Sequence, residues 1–275
     1  MVDPQDALDA IGLLPDVEID IGGAALQLAR LDAPDAKWNA ARLHLSELAR
    51  DTVELATHLP DGGPAARANA LAGLIVEGHG YAGDTETYDD LANANLIRVI
   101  ERRKGLPVAL GILWLHCARA AGWNAHGVNF PGHFLIAVEG KGGRVVVDVF
   151  AGGKTMQARD LRALLKVIEG PDAELRPGLL APMNTRDVLL RLQQNIKMRY
   201  LQAGRLKEAL ACTENMLRVA PDHSTLWREA AAMNQRLGHV GDALRCFERF
   251  IELVPQGEAA TRARAVIDEL RTRLN

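Results

Sequence analysis

The spacing of hydrophobic and polar positions divides the chain into a helical part, a short strand-rich part and a second helical part. Leucines and a valine at mixed helical spacing across residues 36–59 predict an amphipathic helix. Shorter helices are predicted at residues 21–31, 65–77, 90–100 and 158–167. The segment from Pro107 to Gly122 is apolar nearly all round, with proline in its first turn and glycine after its last. This pattern predicts a buried helix.

Runs rich in β-branched residues predict three strands in the middle of the chain, at residues 125–129, 133–138 and 144–150. A turn at residues 140–143 would place Leu135 opposite Asp148 and His133 opposite Phe150. His133 and Asp148 then share a face as diagonal neighbours, roughly 5–8 Å apart at Cβ. A carboxylate in so apolar a strand needs a partner, and an Asp beside an imidazole favours the charged ring, as in catalytic triads.

The helical part after residue 183 contains an internal repeat with a period of 34 residues. The two copies match at a glycine, an alanine, a cysteine and a proline, and aromatic residues fall at fitting positions. The positions expected to pack the repeats are Tyr200, Gly204, Ala209, Pro221, Trp227, Gly238, Ala243, Phe247 and Pro255. This pattern is typical of tetratricopeptide repeats. It predicts one repeat at 190–223, a second at 224–257 and a closing helix at 258–274, with Cys212 and Cys246 as small core residues.

Composition and charge narrow the functional classes. The 275 residues are 48% hydrophobic and 24% charged, which is enough apolar material for a core. A net charge of −3 argues against a nucleic-acid binder, whose affinity depends on neutralising phosphates. Three cysteines argue against a disulfide framework. Since the sequence has neither a signal-peptide pattern nor a long apolar run, we expect a cytoplasmic protein that does not bind membranes.

Three segments carry a resemblance to a known family. They are GYAGDTETYDDLANANLIRVIERRKGLP at residues 80–107, NFPGHF at 129–134 and DVFAGG at 148–153. With the helix and strands between them, they resemble the transglutaminase-like, papain-type core. Together with the two repeats, they resemble more closely the bacterial SirB family, whose members are described as regulators of SirC expression. The resemblance covers about residues 20–274.

The resemblance implies an α+β fold with two domains. A SirB-type transglutaminase-like domain would span residues 1–183. Its helical part would occupy about residues 1–100, and its core, with a small antiparallel sheet, about residues 101–168. An all-α domain of two tetratricopeptide repeats and a closing helix would follow at 184–275.

The same resemblance locates the position of a nucleophile that this chain lacks. In active members of the wider fold, a cysteine opens the buried helix, where the helix dipole lowers its pKa. That position is Pro107 here, and the nearby Ala109 and Gly111 cannot replace it. Cys117 lies ten residues further on and faces another side of the helix, so we expect it in the core. His133 and Asp148 therefore form a degenerate triad.

Several roles for the pair stay open at this stage. We favour a structural hydrogen bond that holds the hairpin, ahead of a retained ligand or peptide cleft. Catalysis by water that His133 activates ranks lower, as does a metal site with His126. We expect neither a metal nor a cofactor. Candidate residues of the cleft are Tyr88, Asn95, Arg103 and Asn129.

Two functional hypotheses follow. The first is a non-catalytic interaction module that binds a protein or peptide through the repeat surface or the degenerate cleft. The second is a hydrolase or acyltransferase that uses His133 and Asp148 without a cysteine nucleophile. Pro107 favours the first hypothesis, because the loss of a triad nucleophile costs many orders of magnitude in rate.

Overall fold

The chain forms two compact units in a computed structural model that describes residues 3–59 and 62–274. The core unit spans Leu14–Leu192, and the repeat unit combines helix α1 (Pro4–Leu13) with the chain from Gln193 onward. This division differs from the predicted boundary near residue 183. It falls inside helix α8 (Thr185–Gln202), and α1 joins the repeat unit because it packs on a helix there.

Six helices build most of the core unit. They are α2 (Ile21–Asp32), α3 (Trp38–Thr57), α4 (Pro64–Ala72), α5 (Leu96–Arg102), α6 (Pro107–Ala120) and α7 (Ala158–Glu169). The helix predicted at 65–77 ends as α4 and continues as a π-helical turn at Gly73–Gly78. The helix predicted at 90–100 is divided into a 3₁₀ turn and α5, because the Asn95 side chain caps α5 by accepting a hydrogen bond from the Arg98 N–H.

A five-stranded antiparallel sheet lies beside these helices, with strand order β6-β5-β4-β3-β7. Its strands are β3 (Ala125–Phe130), β4 (His133–Gly140), β5 (Gly143–Asp148), β6 (Lys154–Met156) and β7 (Pro182–Met183). The three predicted strands are its centre, and Gly140 pairs with Gly143, which is the predicted register. A separate parallel pair joins β1 (Ala82–Gly83) to β2 (Lys104–Gly105).

The two faces of the sheet pack against different helices. On one face the Phe134 ring fills the space over Gly111 of α6, where a Cβ atom would lie 2.2 Å from the ring. On the other face Leu135 belongs to a buried cluster with Leu161 and Leu165 of α7. Because neighbouring strand residues point to opposite faces, α6 and α7 together cover the sheet. The α+β fold predicted from the sequence is confirmed.

The repeat unit is a stack of antiparallel helices. After α8 come α9 (Leu206–Val219), α10 (Ser224–Leu237), α11 (Val240–Leu253) and α12 (Glu258–Leu274). Gly204 and Gly238 make the turns within the two repeats with φ values of +70° and +78°, a conformation that favours glycine. Helix α1 packs on α9, and Gly12 allows the close approach, since a Cβ atom there would lie 2.2 Å from the Arg218 carbonyl oxygen.

Among residues 3–59 and 62–274, the helices are too short or too polar for any of them to cross a membrane.

Candidate functional site

His133 and Asp148 lie in hydrogen-bond contact at one end of the sheet, which we call the dyad end. His133 opens β4 and Asp148 closes β5, and their Nε2 and Oδ2 atoms are 3.0 Å apart. The side chains are only 20% and 12% exposed. The other carboxylate oxygen of Asp148 accepts the backbone N–H groups of Phe150 at 3.0 Å and Ala151 at 3.1 Å. Three donors therefore fix this carboxylate.

The environment of Asp148 favours its charged form. Burial acts to raise the pKa of its carboxyl group, but the hydrogen bond and charge interaction with His133 and the two backbone N–H groups outweigh burial. The pKa of Asp148 is therefore lower than its ordinary value. A carboxylate that stays ionised in this position can orient the imidazole of His133.

Two of the four predicted cleft residues lie near the pair. Tyr88, which is 44% exposed, meets the ring of Phe150 edge-on at a centroid distance of 5.8 Å. Asn129 accepts a hydrogen bond from Arg191, whose guanidinium also donates to the carbonyl oxygen of His133 at 2.8 Å. The structure thus brings Tyr88, Asn129 and a residue that sequence reasoning missed, Arg191, to the dyad end.

Helix α6 begins at the same end of the sheet. The ring of Phe150 packs on Gly83, and Gly83 pairs with Gly105, two residues before Pro107. Pro107 occupies the first turn of the helix, where it offers no nucleophilic atom. Strand alternation places His133 on the face of Leu135, which packs with α7, rather than on the α6 face. Because the ionised Asp148 orients its ring, the imidazole of His133 can act as a general base.

The other two predicted cleft residues have structural roles within the helical part of the core unit. Asn95 is 5% exposed, caps α5 and donates to the Ala29 carbonyl oxygen at 2.9 Å. Arg103 adopts a left-handed conformation at φ +59°, which ends α5 and turns its side chain toward Tyr81 and His44. Their positions in the sequence did not indicate that Asn95 caps a helix or that the Arg103 side chain points toward Tyr81 and His44.

Arg103 belongs to a buried polar cluster that sequence reasoning missed. Its guanidinium donates to the Tyr81 hydroxyl, contacts Nε2 of His44, and lies 4.8 Å from the centre of the Tyr81 ring. His44 contacts Glu47 through Nδ1 at 2.8 Å, and its ring meets that of His79 at 5.3 Å. Burial raises the pKa of Tyr81 and lowers the pKa of His44. A charged arginine against His44 makes this cluster unsuited to a cation.

The thiol of Cys117 in the core unit is buried and is not suited to act as a nucleophile. Cys117 is fully buried in α6, and burial raises the pKa of its thiol to about 11. The nucleophilic thiolate is therefore scarce at neutral pH. Within the described part of the chain, no group of three or more His, Cys, Asp and Glu residues is arranged to hold a metal ion.

The repeat-packing residues lie where helices meet or turn. Ala209 and Ala243 are fully buried, Phe247 is 6% exposed, and the Trp227 indole donates to the Pro221 carbonyl oxygen at 2.7 Å. Tyr200 lies beneath the Arg205 guanidinium, which is 4.7 Å from its ring centre. Pro255 follows α11 as Pro221 follows α9.

The two matched cysteines differ in their surroundings. Cys212 is buried, and its thiol contacts the side-chain oxygen of Gln193 at 3.1 Å. Cys246 is only partly buried and lines a surface groove, so the expectation of a core position holds for Cys212 alone. Each thiol faces the preceding helix of its pair, Cys212 toward Gln193 of α8 and Cys246 toward Asn234 of α10, but Cys246 also lines the groove.

Comparisons with known proteins agree with the two-part architecture. A family model described as transglutaminase-like superfamily matches residues 40–194, more than half of the chain, and a tetratricopeptide-repeat model matches residues 196–268. A UPF0162 protein of Xylella fastidiosa is 29% identical over 251 residues, covering 89% of this chain and 88% of the relative. A UPF0162 protein of Vibrio cholerae is 29% identical over 246 residues, covering 90% of each.

A crystal structure of menin aligns with 92% of this chain and 70% of menin, at 9% identity and a TM-score of 0.42. That similarity is too low to support an inference about fold or function. The bacterial relatives carry the name UPF0162, so the finer assignment to the SirB family stays a prediction. The match over residues 40–194 decides the broader question: the chain belongs to the transglutaminase-like superfamily.

Proposed function

We propose that this chain is a non-catalytic protein-interaction protein, in which the repeat unit binds a segment of a partner and the transglutaminase-like core is degenerate. The observation that carries the proposal is Pro107 in the first turn of α6, the place of the nucleophile in active members of the wider fold. Tetratricopeptide repeats generally mediate protein–protein contacts, which supports the positive half of the proposal.

The His133–Asp148 pair has a sufficient structural role without catalysis. Asp148 joins the start of β4 to the turn after β5, through His133 on one side and two backbone N–H groups on the other. A buried carboxylate with all these donors stabilises the local fold, whereas an unpaired one would be costly. We interpret the pair as a strut that holds this end of the sheet.

The repeat unit offers two candidate faces for a partner. One face lies between α8 and α10, where a groove of about 230 Å³ is bordered by the partly exposed side chains of Met198 and Leu201. The other lies between α9 and α11 and holds a groove of about 650 Å³. Both have apolar atoms beside charged ones, as protein-binding surfaces do.

The proposal is tested by cross-linked affinity capture of the full chain from the native cell, with quantitative mass spectrometry. The variants are Met198→Glu with Leu201→Glu for the first face, Glu214→Lys with Asp242→Lys for the second, and His133→Ala with Asp148→Ala for the pair. Each must first show the far-ultraviolet circular dichroism of the wild type. A partner lost only in a repeat variant supports the proposal. A partner lost only in the pair variant moves binding to the dyad end, and the absence of any specific partner contradicts it.

The 3.0 Å contact within the pair favours one alternative, a hydrolase or acyltransferase in which His133 activates water. Purified wild type and His133→Ala are compared on amide and ester substrates. Turnover by the wild type that His133→Ala abolishes would overturn the non-catalytic proposal. Pro107→Cys adds the missing nucleophile, and activity gained only in this variant shows that the cleft geometry survives and that the loss is confined to position 107.

A further inference from the structure

The groove between α9 and α11 has an apolar floor. Helix α10 forms much of the floor through Trp227 and Ala230, and Leu217 of α9 borders it. The indole of Trp227 is held in place by its hydrogen bond to the Pro221 carbonyl oxygen. A fixed aromatic ring in an open groove is the type of anchor around which protein interfaces form.

One end of this groove is acidic. Glu214 of α9 and Asp242 of α11 both line it. The pKa of Glu214 is raised, first by burial and then by the nearby charge of Asp242, so the two carboxylates influence each other across the groove. Arg245 also lines this end and pairs with Asp242, so the end holds two carboxylates and one guanidinium and keeps an excess of negative charge for an added cation.

The other end is basic. Arg218 lies four residues after Glu214 on α9, and Arg249 lies seven residues after Asp242 on α11. Arg249 pairs with Asp222, which follows the end of α9, so both guanidinium groups lie near the last turn of α9. On each rim the charge therefore changes from negative to positive in the same direction.

The two arginines keep capacity for an incoming anion. Arg218 pairs at 2.6 Å with Asp9 of α1, which also lines the groove, and Arg249 pairs with Asp222 at 3.1 Å and with Glu252 at 2.8 Å. All three acids are more than half exposed, and ion pairs this accessible to water contribute little and exchange readily. A guanidinium has five N–H donors, so a carboxylate can join without displacing every contact.

We propose that this groove binds one amphipathic helix of a partner, whose basic side chain meets the acidic end and whose acidic side chain meets the basic end. This inference rests on the proposed function and names the chemistry of its partner. The apolar stripe of the helix packs on Leu217, Trp227 and Ala230, as a ridge fits between two helices. Glu214 and Arg218 are one helical turn apart, about 6 Å, so the two partner charges lie one to two turns apart. Charges of this kind set orientation more than affinity.

The test is a displayed library of 16-residue peptides with a fixed leucine stripe at i, i+3, i+7 and i+10. The flanking positions are randomised among Lys, Glu, Gln and Ala. Selection uses the full-length wild type and a charge-swapped variant, Glu214→Lys, Asp242→Lys, Arg218→Glu and Arg249→Glu, whose net charge is unchanged. The matched control outside the groove is Glu258→Arg with Arg262→Glu, an exposed pair on α12.

The wild type and the control are expected to enrich peptides with one order of basic and acidic positions along the helix. The charge-swapped variant is expected to enrich the opposite order. Peptides chosen on the wild type should bind the swapped variant at least tenfold more weakly. Binding that ignores the swap, enrichment without charge order, or no enriched peptide would each overturn the inference. If the fourfold variant does not fold, Glu214→Lys with Asp242→Lys leaves the Arg218–Asp9 contact in place and must remove the preference for a basic residue at the acidic end.

The outcome is separable from that of the proposed function. Suppose that a native partner is lost in the Met198→Glu, Leu201→Glu variant and that the library yields no charge-ordered peptide. The interaction function would then stand, and this groove would be rejected as its site.

Discussion

Gly111 is the position at which a single methyl group tests the packing between α6 and the sheet. An alanine Cβ at this position would lie 2.2 Å from one carbon of the Phe134 ring and 3.0 Å from the next. Favourable carbon–carbon contacts lie at about 3.5–4.0 Å, so the ring or the helix must move. Gly73 provides the matched comparison, because its dihedral angles are helical and a Cβ atom there meets no atom within 4 Å.

The two substitutions should therefore change stability in opposite directions. Alanine is favoured over glycine in a helix by roughly 1 kcal/mol, so Gly73→Ala should raise the free energy of unfolding by about 0.5–1 kcal/mol. Gly111→Ala gains the same term but incurs an overpacking cost of about 1–3 kcal/mol. Because a 2.2 Å contact is severe, we expect a net loss of about 1–2 kcal/mol.

Urea unfolding followed by tryptophan fluorescence measures both changes. A Trp227→Phe background removes the tryptophan of the repeat unit, so that Trp38, Trp114 and Trp123 report the core unit. This matters because a chain of two units need not unfold in one step.

The shared contact with Phe134 predicts that the two sites are coupled. Phe134→Leu shortens the side chain that the new methyl group meets, so the double variant should be at least about 1 kcal/mol more stable than the sum of the single effects predicts. The packing argument would be refuted if Gly111→Ala stabilised the protein as much as Gly73→Ala does. It would also be refuted if the effects of Gly111→Ala and Phe134→Leu on the free energy of unfolding were additive.

Three further predictions concern the polar groups. Burial holds the pKa of His44, beside Arg103, below its ordinary value of 6.5. The unfolded chain therefore binds this proton more readily, so the contribution of His44 to stability should be constant above pH 6.5 and fall below it. His44→Gln should remove this contribution and reduce the change in urea midpoint between pH 7.5 and 5.5. Asp148→Ala should lower the free energy of unfolding by about 1–3 kcal/mol, because two backbone N–H groups lose their acceptor, whereas an unchanged urea midpoint would contradict the strut. A thiol reagent should modify Cys246 alone in the native protein, and the reaction should be slow because burial raises the pKa of this thiol to about 11. In denaturant the reagent should modify all three cysteines. Rapid reaction of a second thiol in the native protein would contradict the burial of Cys117 and Cys212.

The central sheet and α6 were predictable because short-range signals define them. The glycine turn between β4 and β5 fixes the hairpin register, and that register places His133 beside Asp148. Pro107 and Gly122 mark the ends of the buried helix and its following turn. Strands β1, β2, β6 and β7 were missed, since two or three residues carry no period and form only when a partner strand is present.

The candidate site was predictable only where strand geometry determined it. Asn95 and Arg103 stand in a segment that matches the family pattern, but a helix cap and a left-handed residue direct them into the fold. Arg191 was missed because it lies 58 residues after His133, and nothing in its local sequence indicates that approach. Contacts at this separation follow from tertiary packing.

The position of α1 has a consequence for the order in which the chain assembles during synthesis. Leu8 is fully buried in the repeat unit, yet about 200 residues separate α1 from the end of its partner α9. At translation rates of about 5–20 residues per second, this helix waits roughly 10–40 s before the surface that covers it exists. The whole core unit is made in that interval. The last contacts made in that interval join the two ends of the core unit, because Asp16 accepts the N–H groups of Thr185 and Arg186.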